Sequence, residues 1–155
     1  MLLLDVVGWL IAAVLVGMTI GLHYEIIKLA SDVIVPWSLK RFHDRRAMML
    51  LTVTLMAGHI CEIWIFAGAM FGLSYFPAFG SLTGNHEPTF NSFLYFSAVS
   101  YTSTGYGDIL PVGPLRALAV SEALTGLLMI AWSASFTYLK MEQIWNLRHN
   151  TRNTK

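Results

Sequence analysis

Three stretches of the chain are apolar for long enough to cross a lipid bilayer, which takes about 20 helical residues. They are residues 6–22, 47–76 and 115–139. The second run is interrupted only by His59 and Glu62, and Glu122 is the only charge well inside the third. Because hydrocarbon offers the backbone no hydrogen-bond partner, runs of this length must be helical. The pattern predicts an all-α membrane protein with three transmembrane helices.

Composition supports this class and divides the chain into four parts. Of its 155 residues, 55% are hydrophobic and 12% are charged, which is typical of one small membrane domain. The first five residues carry an acid and no base, which disfavours a signal peptide. We therefore predict an extra N-terminal transmembrane helix at 1–25, a basic interfacial linker at 26–46, a membrane core at 47–139 and a tail at 140–155.

The basic residues are distributed unevenly among the connections. Residues 77–114 contain none. Five precede the second apolar run and four follow the third: Lys28, Lys40, Arg41, Arg45, Arg46, then Lys140, Arg148, Arg152, Lys155. By the positive-inside rule, the linker and the tail are cytoplasmic. We therefore predict an integral protein of the plasma membrane with its N-terminus outside and its C-terminus in the cytoplasm.

The outer connection contains a loop and a short apolar segment. Residues 77–89 read as loop, because Pro77, Gly80, Gly84 and Pro88 break regular structure. Residues 90–101 are apolar and aromatic but too few to cross a bilayer. They predict a re-entrant helix: the chain enters the membrane from outside as a helix and returns to the same side without crossing.

The seven residues after this helix, Thr-Ser-Thr-Gly-Tyr-Gly-Asp at 102–108, combine hydroxyl groups with two glycines. Glycine reaches backbone torsions closed to other residues, which lets successive carbonyls point in one direction. Such a row of oxygens can replace the water shell of an ion. The helix before it directs the partial negative charge of its C-terminus into the membrane. The segment therefore favours a dehydrated cation.

These seven residues resemble the selectivity filter of the potassium channels. The resemblance covers residues 47–139, as an outer helix at 47–76, a pore helix at 90–101, the filter at 102–108 and an inner helix at 115–139. It implies a K⁺ path lined by five residues, with K⁺ bound at the first four: Ser103, Thr104, Gly105, Tyr106 and Gly107. It also implies that Asp108 lies at the outer mouth, and that four copies in the bilayer close the ring as a homotetramer.

The sequence departs from that family's pattern at three positions. Ser103 replaces the usual Thr, and Thr104 replaces the usual Val or Ile. Val99 replaces a glutamate that, in some members, pairs with the filter aspartate. Asp108 therefore needs another partner or water. A weakly selective cation channel stays open as the alternative within this class.

The third apolar run offers a candidate hinge and a candidate cavity lining. Gly126 is the hinge candidate, although close packing of helices would explain it equally well. Four residues at about helical spacing form the candidate cavity lining: Thr125, Met129, Ser133 and Thr137.

Ionisable residues inside membrane spans usually face protein or water. His59 and Glu62 share a helix face, and Glu122 lies early in the third run, within reach of Ser97 or Ser100 on the short helix. We predict a buried network of His59, Glu62 and Glu122 that braces the pore helix. Two readings from other classes stay open: a metal-dependent intramembrane enzyme at His59 and Glu62, and a membrane scaffold whose glycine motif is a coincidence.

The sequence thus predicts a channel for passive K⁺ conduction and not an enzyme. The expected ligand is the permeant K⁺ itself, with no cofactor and no nucleic-acid partner. No span carries regularly spaced arginines, so a voltage sensor is not expected. Nothing in the pattern indicates a gating stimulus or a regulatory partner.

Overall fold

A computed structural model describes residues 2–105 and 107–153 of the chain, with side chains as far as residue 146. Its helices are α1 (Leu2–Leu29), α2 (Val35–Arg41), α3 (Asp44–Ser74), α4 (Phe90–Tyr101) and α5 (Leu115–Asn153). A π-helical turn (Ala30–Ile34) joins α1 to α2, and a 3₁₀ turn (Pro77–Phe79) follows α3. Two short strands, β1 (Leu82–Gly84) and β2 (Ile109–Pro111), complete the described part.

Three helical segments are long and apolar enough to cross a membrane, as the apolar runs predict: Leu2–Arg41, Asp44–Ser74 and Leu115–Asn146. The first is longer than the predicted helix at 1–25, because the linker is itself helical. A helix of 40 residues is about 60 Å long, which is about twice the hydrocarbon thickness. Its C-terminal part must therefore extend beyond the apolar layer or lie along its surface.

The π-helical turn has a local cause in Pro36. Proline has no N–H to donate, so the α-helical ladder cannot continue through it unchanged. The N–H of Val35 donates instead to the carbonyl of Ala30, five residues back. The chain thereby stays helical to Arg41 and ends only at the extended residue Phe42.

A small apolar cluster holds together the half of the fold that contains α2. It joins the π-helical turn and α2 to α3 and α5 through five buried residues: Ala30, Val35, Leu51, Leu55 and Ile144. Ile144 belongs to the predicted tail. Helix α5 continues past the predicted end at residue 139 because no glycine or proline follows Gly126 to stop it.

Helix α1 lies against the rest of the chain along one narrow face. Its buried residues recur every three or four positions: Gly8, Ala12, Leu15, Thr19 and His23. Helix α1 packs against α5 and α3 along this face. At Gly8 the approach is so close that an added Cβ would lie 2.9 Å from the Cβ of Pro114. The extra N-terminal helix is therefore an integral part of the bundle.

The short helix α4 lies between α3 and α5 in the outer half. Its 12 residues span about 18 Å, too little to cross the hydrocarbon layer. Phe93 and Phe96 are buried in the main apolar cluster, which also contains Phe66 and Met70 of α3 and Leu118 of α5. The apolar face of α4 therefore fixes its position within the helical frame.

Strand β1 pairs antiparallel with β2, with Leu82 opposite Pro111 and Gly84 opposite Ile109. The sequence predicted only loop here. The same glycines that led to the prediction of a loop make the strand pairing possible. Gly84 has φ +117°, and any residue with a Cβ at this position would collide with the carbonyl oxygen of Asp108. The pairing ties the outer connection to the residues that follow the filter.

Candidate functional site

The filter segment leaves the C-terminus of α4 without a break. The N–H of Thr102 donates to the carbonyl of Ala98 at 3.1 Å, and the N–H of Ser103 donates to the carbonyl of Ser100 at 2.9 Å. These bonds close the last turn of α4 and start the filter at a fixed place. Tyr106, which was predicted to line the ion path, lies outside the described residues.

Two filter residues adopt backbone torsions that side chains disfavour. Ser103 has φ +54° and Gly105 has φ +97°. An added Cβ at Gly105 would meet no atom within 4 Å in the single chain. In the single chain, the preference for glycine at this position is therefore conformational and not a matter of space.

The described filter residues are exposed in the single chain: Thr102, Ser103, Thr104, Gly105, Gly107 and Asp108. The hydroxyls of Thr102 and Thr104 lie 2.7 Å apart, and the Thr102 hydroxyl also donates to the carbonyl of Ala98. The polar edge of the segment thus faces away from the helices of its own chain.

The end of the filter at Asp108 is anchored by hydrogen bonds to backbone carbonyls. The N–H of Asn85 donates to the carbonyl of Asp108 at 3.0 Å. Arg116 donates from Nε to the carbonyl of Pro111 at 3.1 Å. The Asp108 side chain is exposed beside an outer crevice that also contains Asn85 and Tyr95. The carboxylate at the predicted outer mouth therefore faces solvent.

Glu122 is fully buried behind α4. The hydroxyl of Ser97 forms a short hydrogen bond with Oε1 of Glu122 and also lies 2.8 Å from the carbonyl oxygen of Ile63. A serine hydroxyl has only one proton to donate. Both contacts are satisfied when Glu122 carries a proton and donates to Ser97, which then donates to Ile63. The carboxyl group thus joins α5, α4 and α3.

We expect Glu122→Gln to preserve the fold and the ion flux that the filter implies, because glutamine can still donate to Ser97. Glu122→Ala should lower stability by about 1 to 3 kcal/mol, since it leaves Ser97 partly unpaired beside a gap. Melting temperatures of both purified variants check this. A Glu122→Gln protein that melted at as low a temperature as Glu122→Ala would contradict this bonding pattern.

A second buried network surrounds Glu62. Its Oε1 lies 2.8 Å from Nδ1 of His23, and its Oε2 accepts a short hydrogen bond from the Tyr101 hydroxyl. Nδ1 of His59 lies 2.8 Å from the same hydroxyl, and Nε2 of His23 lies 3.3 Å from the Ser133 hydroxyl. The network therefore connects α1, α3, α5 and the last residue of α4.

The predicted buried network is divided in the described part of the chain. His59 and Glu62 share one set of hydrogen bonds, while Glu122 belongs to the other. Sequence reasoning missed His23, which lies 39 residues from Glu62. The available signal was a histidine near the end of an apolar run, on the same face as Gly8, Ala12 and Leu15.

The candidate cavity lining on α5 faces its own chain. Thr125, Met129 and Ser133 are buried, and Thr125 donates to the carbonyl of Ser121 within the helix. Ser133 and Thr137 instead line a lateral cavity of about 520 Å³ between α3 and α5. Their lining of a water-filled path stays a prediction, because helical spacing identifies a face without identifying what covers it.

Gly126 marks the closest approach of α5 to the filter base. An added Cβ would overlap the Tyr101 carbonyl oxygen and lie 2.8 Å from the carbonyl carbon. Helix α5 continues through this position without interruption. Close packing accounts for the glycine, and the hinge stays a prediction.

The family described as "Ion channel" matches residues 58–143. The inward rectifier potassium channel Kirbac3.1 of Paramagnetospirillum magnetotacticum is 34% identical over 108 residues, covering 67% of this chain and 35% of that protein. Protein LctB of Geobacillus stearothermophilus is 42% identical over 55 residues, covering 36% of this chain and 41% of that protein. No solved structure gives a significant match. The chain thus spans about a third to two fifths of the length of these relatives.

Proposed function

Because the chain belongs to the ion channel family, we propose that it forms a potassium-selective channel whose pore is closed by four copies. It is an integral membrane protein, and its family points to a channel and not to an enzyme. The observation that carries the proposal is the Thr-Ser-Thr-Gly-Tyr-Gly-Asp segment at 102–108, which follows the re-entrant helix α4 directly.

In this proposal, K⁺ sheds its water and binds to carbonyl oxygens of the filter and to the Ser103 hydroxyl. Carbonyl dipoles replace the hydration shell at little cost, while binding at several adjacent sites keeps each ion able to leave. The C-terminus of α4 adds partial negative charge at the inner end. The torsion at Gly105 supports this arrangement, since it is the kind that an aligned row of carbonyls needs.

Exposure in the single chain supports the homotetramer. The filter backbone is exposed at the depth of the membrane, where an uncovered backbone is not tolerated. Helix α5 also presents large apolar side chains outward, among them Leu124, Leu128 and Trp132. Copies of the same chain related by a fourfold axis would cover both features.

The printed name of the relative Kirbac3.1 supports K⁺ as the permeant ion, since that protein is a potassium channel. Ser103, Thr104 and Val99 favour the weakly selective cation channel as a second candidate, because each departs from the potassium channel pattern. Selectivity therefore needs its own measurement.

A flux assay in proteoliposomes tests the proposal. Vesicles loaded with KCl and diluted into NaCl should show a K⁺ efflux that depends on the protein. A matched set loaded with NaCl and diluted into KCl should show no comparable Na⁺ efflux. Absence of K⁺ flux from correctly folded, inserted protein would contradict the proposal.

The membrane orientation follows from the basic residues and is a separate prediction. The N-terminus should face outside and the C-terminus the cytoplasm, since Arg41, Arg45 and Arg46 lie where the first long helical segment ends and the second begins. Reporter fusions to each terminus check this in cells. Both reporters on one side would contradict a three-span topology.

A further inference from the structure

Three potential metal ligands converge in the network around Glu62. His23 from α1 and His59 and Glu62 from α3 each offer one ligand atom, and these atoms lie within 4.8 Å of one another. The side chains of His23 and Glu62 are almost fully buried, at 1% and 0% exposed. The sequence suggested two ligands here, and the fold adds the third.

A bound metal ion would also balance the charge of an ionised Glu62. If Glu62 is ionised and both imidazoles are neutral, the cluster carries one uncompensated negative charge. An uncompensated charge buried in protein within the bilayer is costly. The described residues place no lysine or arginine in contact with Glu62. Either a proton on one imidazole or a bound metal ion would remove the cost.

We propose that His23, His59 and Glu62 bind a divalent transition metal ion of the Zn²⁺ class. Two imidazole nitrogens and one carboxylate oxygen match the ligands that Zn²⁺ prefers and leave its fourth position open. Mg²⁺ and Ca²⁺ prefer oxygen ligands and suit the cluster poorly. Ligand atoms of tetrahedral Zn²⁺ lie about 3.4 Å from one another. Nδ1 of His59 and Oε2 of Glu62 are already 3.5 Å apart, while Nδ1 of His23 and Oε1 of Glu62, at 2.8 Å, would have to separate slightly.

The surroundings supply the outer contacts of such a site. Ser133 lies 3.3 Å from Nε2 of His23, so Nε2–H can donate to its hydroxyl while Nδ1 presents a lone pair to the metal. The Tyr101 hydroxyl donates to Oε2 of Glu62 and lies 2.8 Å from Nδ1 of His59, a contact that would have to lengthen if this nitrogen bound the metal. The Ser133 contact would orient the His23 imidazole for binding.

A route to the site exists through the lateral cavity between α3 and α5. His59 and Tyr101 line this cavity of about 520 Å³ together with Thr52, Ser133 and Thr137. The His59 side chain is 13% exposed and so marks the accessible edge of the cluster. In the single chain, the cluster is therefore accessible from this cavity at His59.

A bound metal ion would link His23 of α1 to the cluster beside Tyr101, which precedes the filter. Tyr101 is the last residue of α4 and immediately precedes the filter segment at 102–108. Metal binding close to the Tyr101 hydroxyl should therefore change ion flux. This expected effect rests on the proposed channel function. Metal binding itself does not depend on that function.

The test is titration of the purified, chelator-treated protein with Co²⁺, followed by its visible absorption, and competition with Zn²⁺. We expect one ion per chain, with the intense bands of tetrahedral Co²⁺ that Zn²⁺ removes. His59→Gln and Glu62→Gln should lose these bands, and Ser133→Ala should weaken binding about 10-fold. His43→Gln is the matched control, because His43 is an exposed histidine at the start of α3.

Size-exclusion profiles and melting temperatures show whether each variant is folded. Zn²⁺ should raise the melting temperature of the wild-type protein and of His43→Gln, but not of His59→Gln. Folded wild-type protein that binds no Co²⁺ would overturn the proposal and leave a proton as the compensating charge. Binding that survives in both His59→Gln and Glu62→Gln would place the metal elsewhere. Metal binding in protein that conducts no K⁺ would contradict the channel proposal alone.

Discussion

Replacing Gly105 with alanine is expected to abolish K⁺ flux in the proteoliposome assay. Gly105 has φ +97°, and an L-residue in a left-handed conformation costs about 1 to 2 kcal/mol. In the proposed ring of four copies, this cost would add up to about 4 to 8 kcal/mol. A cost of about 4 kcal/mol lowers the population of the aligned filter about 1000-fold. The resemblance to the potassium channel filter predicts the same loss for Gly107→Ala.

Gly68→Ala is the matched control for the filter variants. Gly68 lies in α3, and an added Cβ there meets no atom within 4 Å of its own chain. The chemical change is the same, while the helical backbone accepts alanine readily. Flux should therefore stay near the wild-type level. Wild-type flux in both Gly105→Ala and Gly107→Ala would show that the glycines do not shape an ion path.

Replacing Gly126 with alanine is expected to destabilise the protein strongly. The new methyl group would overlap the Tyr101 carbonyl, and a backbone group cannot rotate away as a flexible side chain can. Overpacking of this kind costs about 1 to 3 kcal/mol or more per chain. The melting temperature should fall by about 5 °C or more. Fluorescence-detected size exclusion after heating measures this change.

Gly21→Ala on α1 is the matched control, because nothing lies within 4 Å of an added Cβ at that helical glycine. Its melting temperature should stay unchanged or rise slightly. The comparison also separates the two readings of Gly126. A hinge alone would change the flux of Gly126→Ala while leaving its stability at the wild-type level, and that result would contradict close packing.

The main frame of the fold could be predicted because the membrane imposes it. An apolar run long enough to cross the hydrocarbon must be helical. The position and length of such runs can be read from the residue types alone. The short helix at 90–101 could be recognised because it is bounded by loop breakers and by the filter glycines. These features are local in the sequence, so no knowledge of tertiary contacts was needed.

The contacts between distant segments could not be predicted in the same way. His23 meets Glu62 only because the buried face of α1 turns one histidine toward α3. The pairing of β1 with β2 depends on how the 24 residues between Gly84 and Ile109 fold, and only glycines in the sequence indicate it. Such contacts arise from packing geometry, which a single sequence does not encode locally.

The α5 residues illustrate the same limit. Thr125, Met129 and Ser133 have the spacing of one helical face, and the sequence correctly groups them. The structure turns that face toward the chain's own helices. Polar residues on a membrane helix suit a water-filled cavity and a hydrogen-bonded interior equally well. Periodicity alone therefore could not choose between these two environments.

The reversal potential under bi-ionic conditions tests the central claim most directly. Purified protein is reconstituted in a planar bilayer with KCl on one side and NaCl on the other. A potassium-selective pore predicts a reversal potential strongly displaced in the direction set by K⁺, with loss of the current in Gly105→Ala. A current that reverses near zero would contradict K⁺ selectivity and favour a weakly selective cation channel.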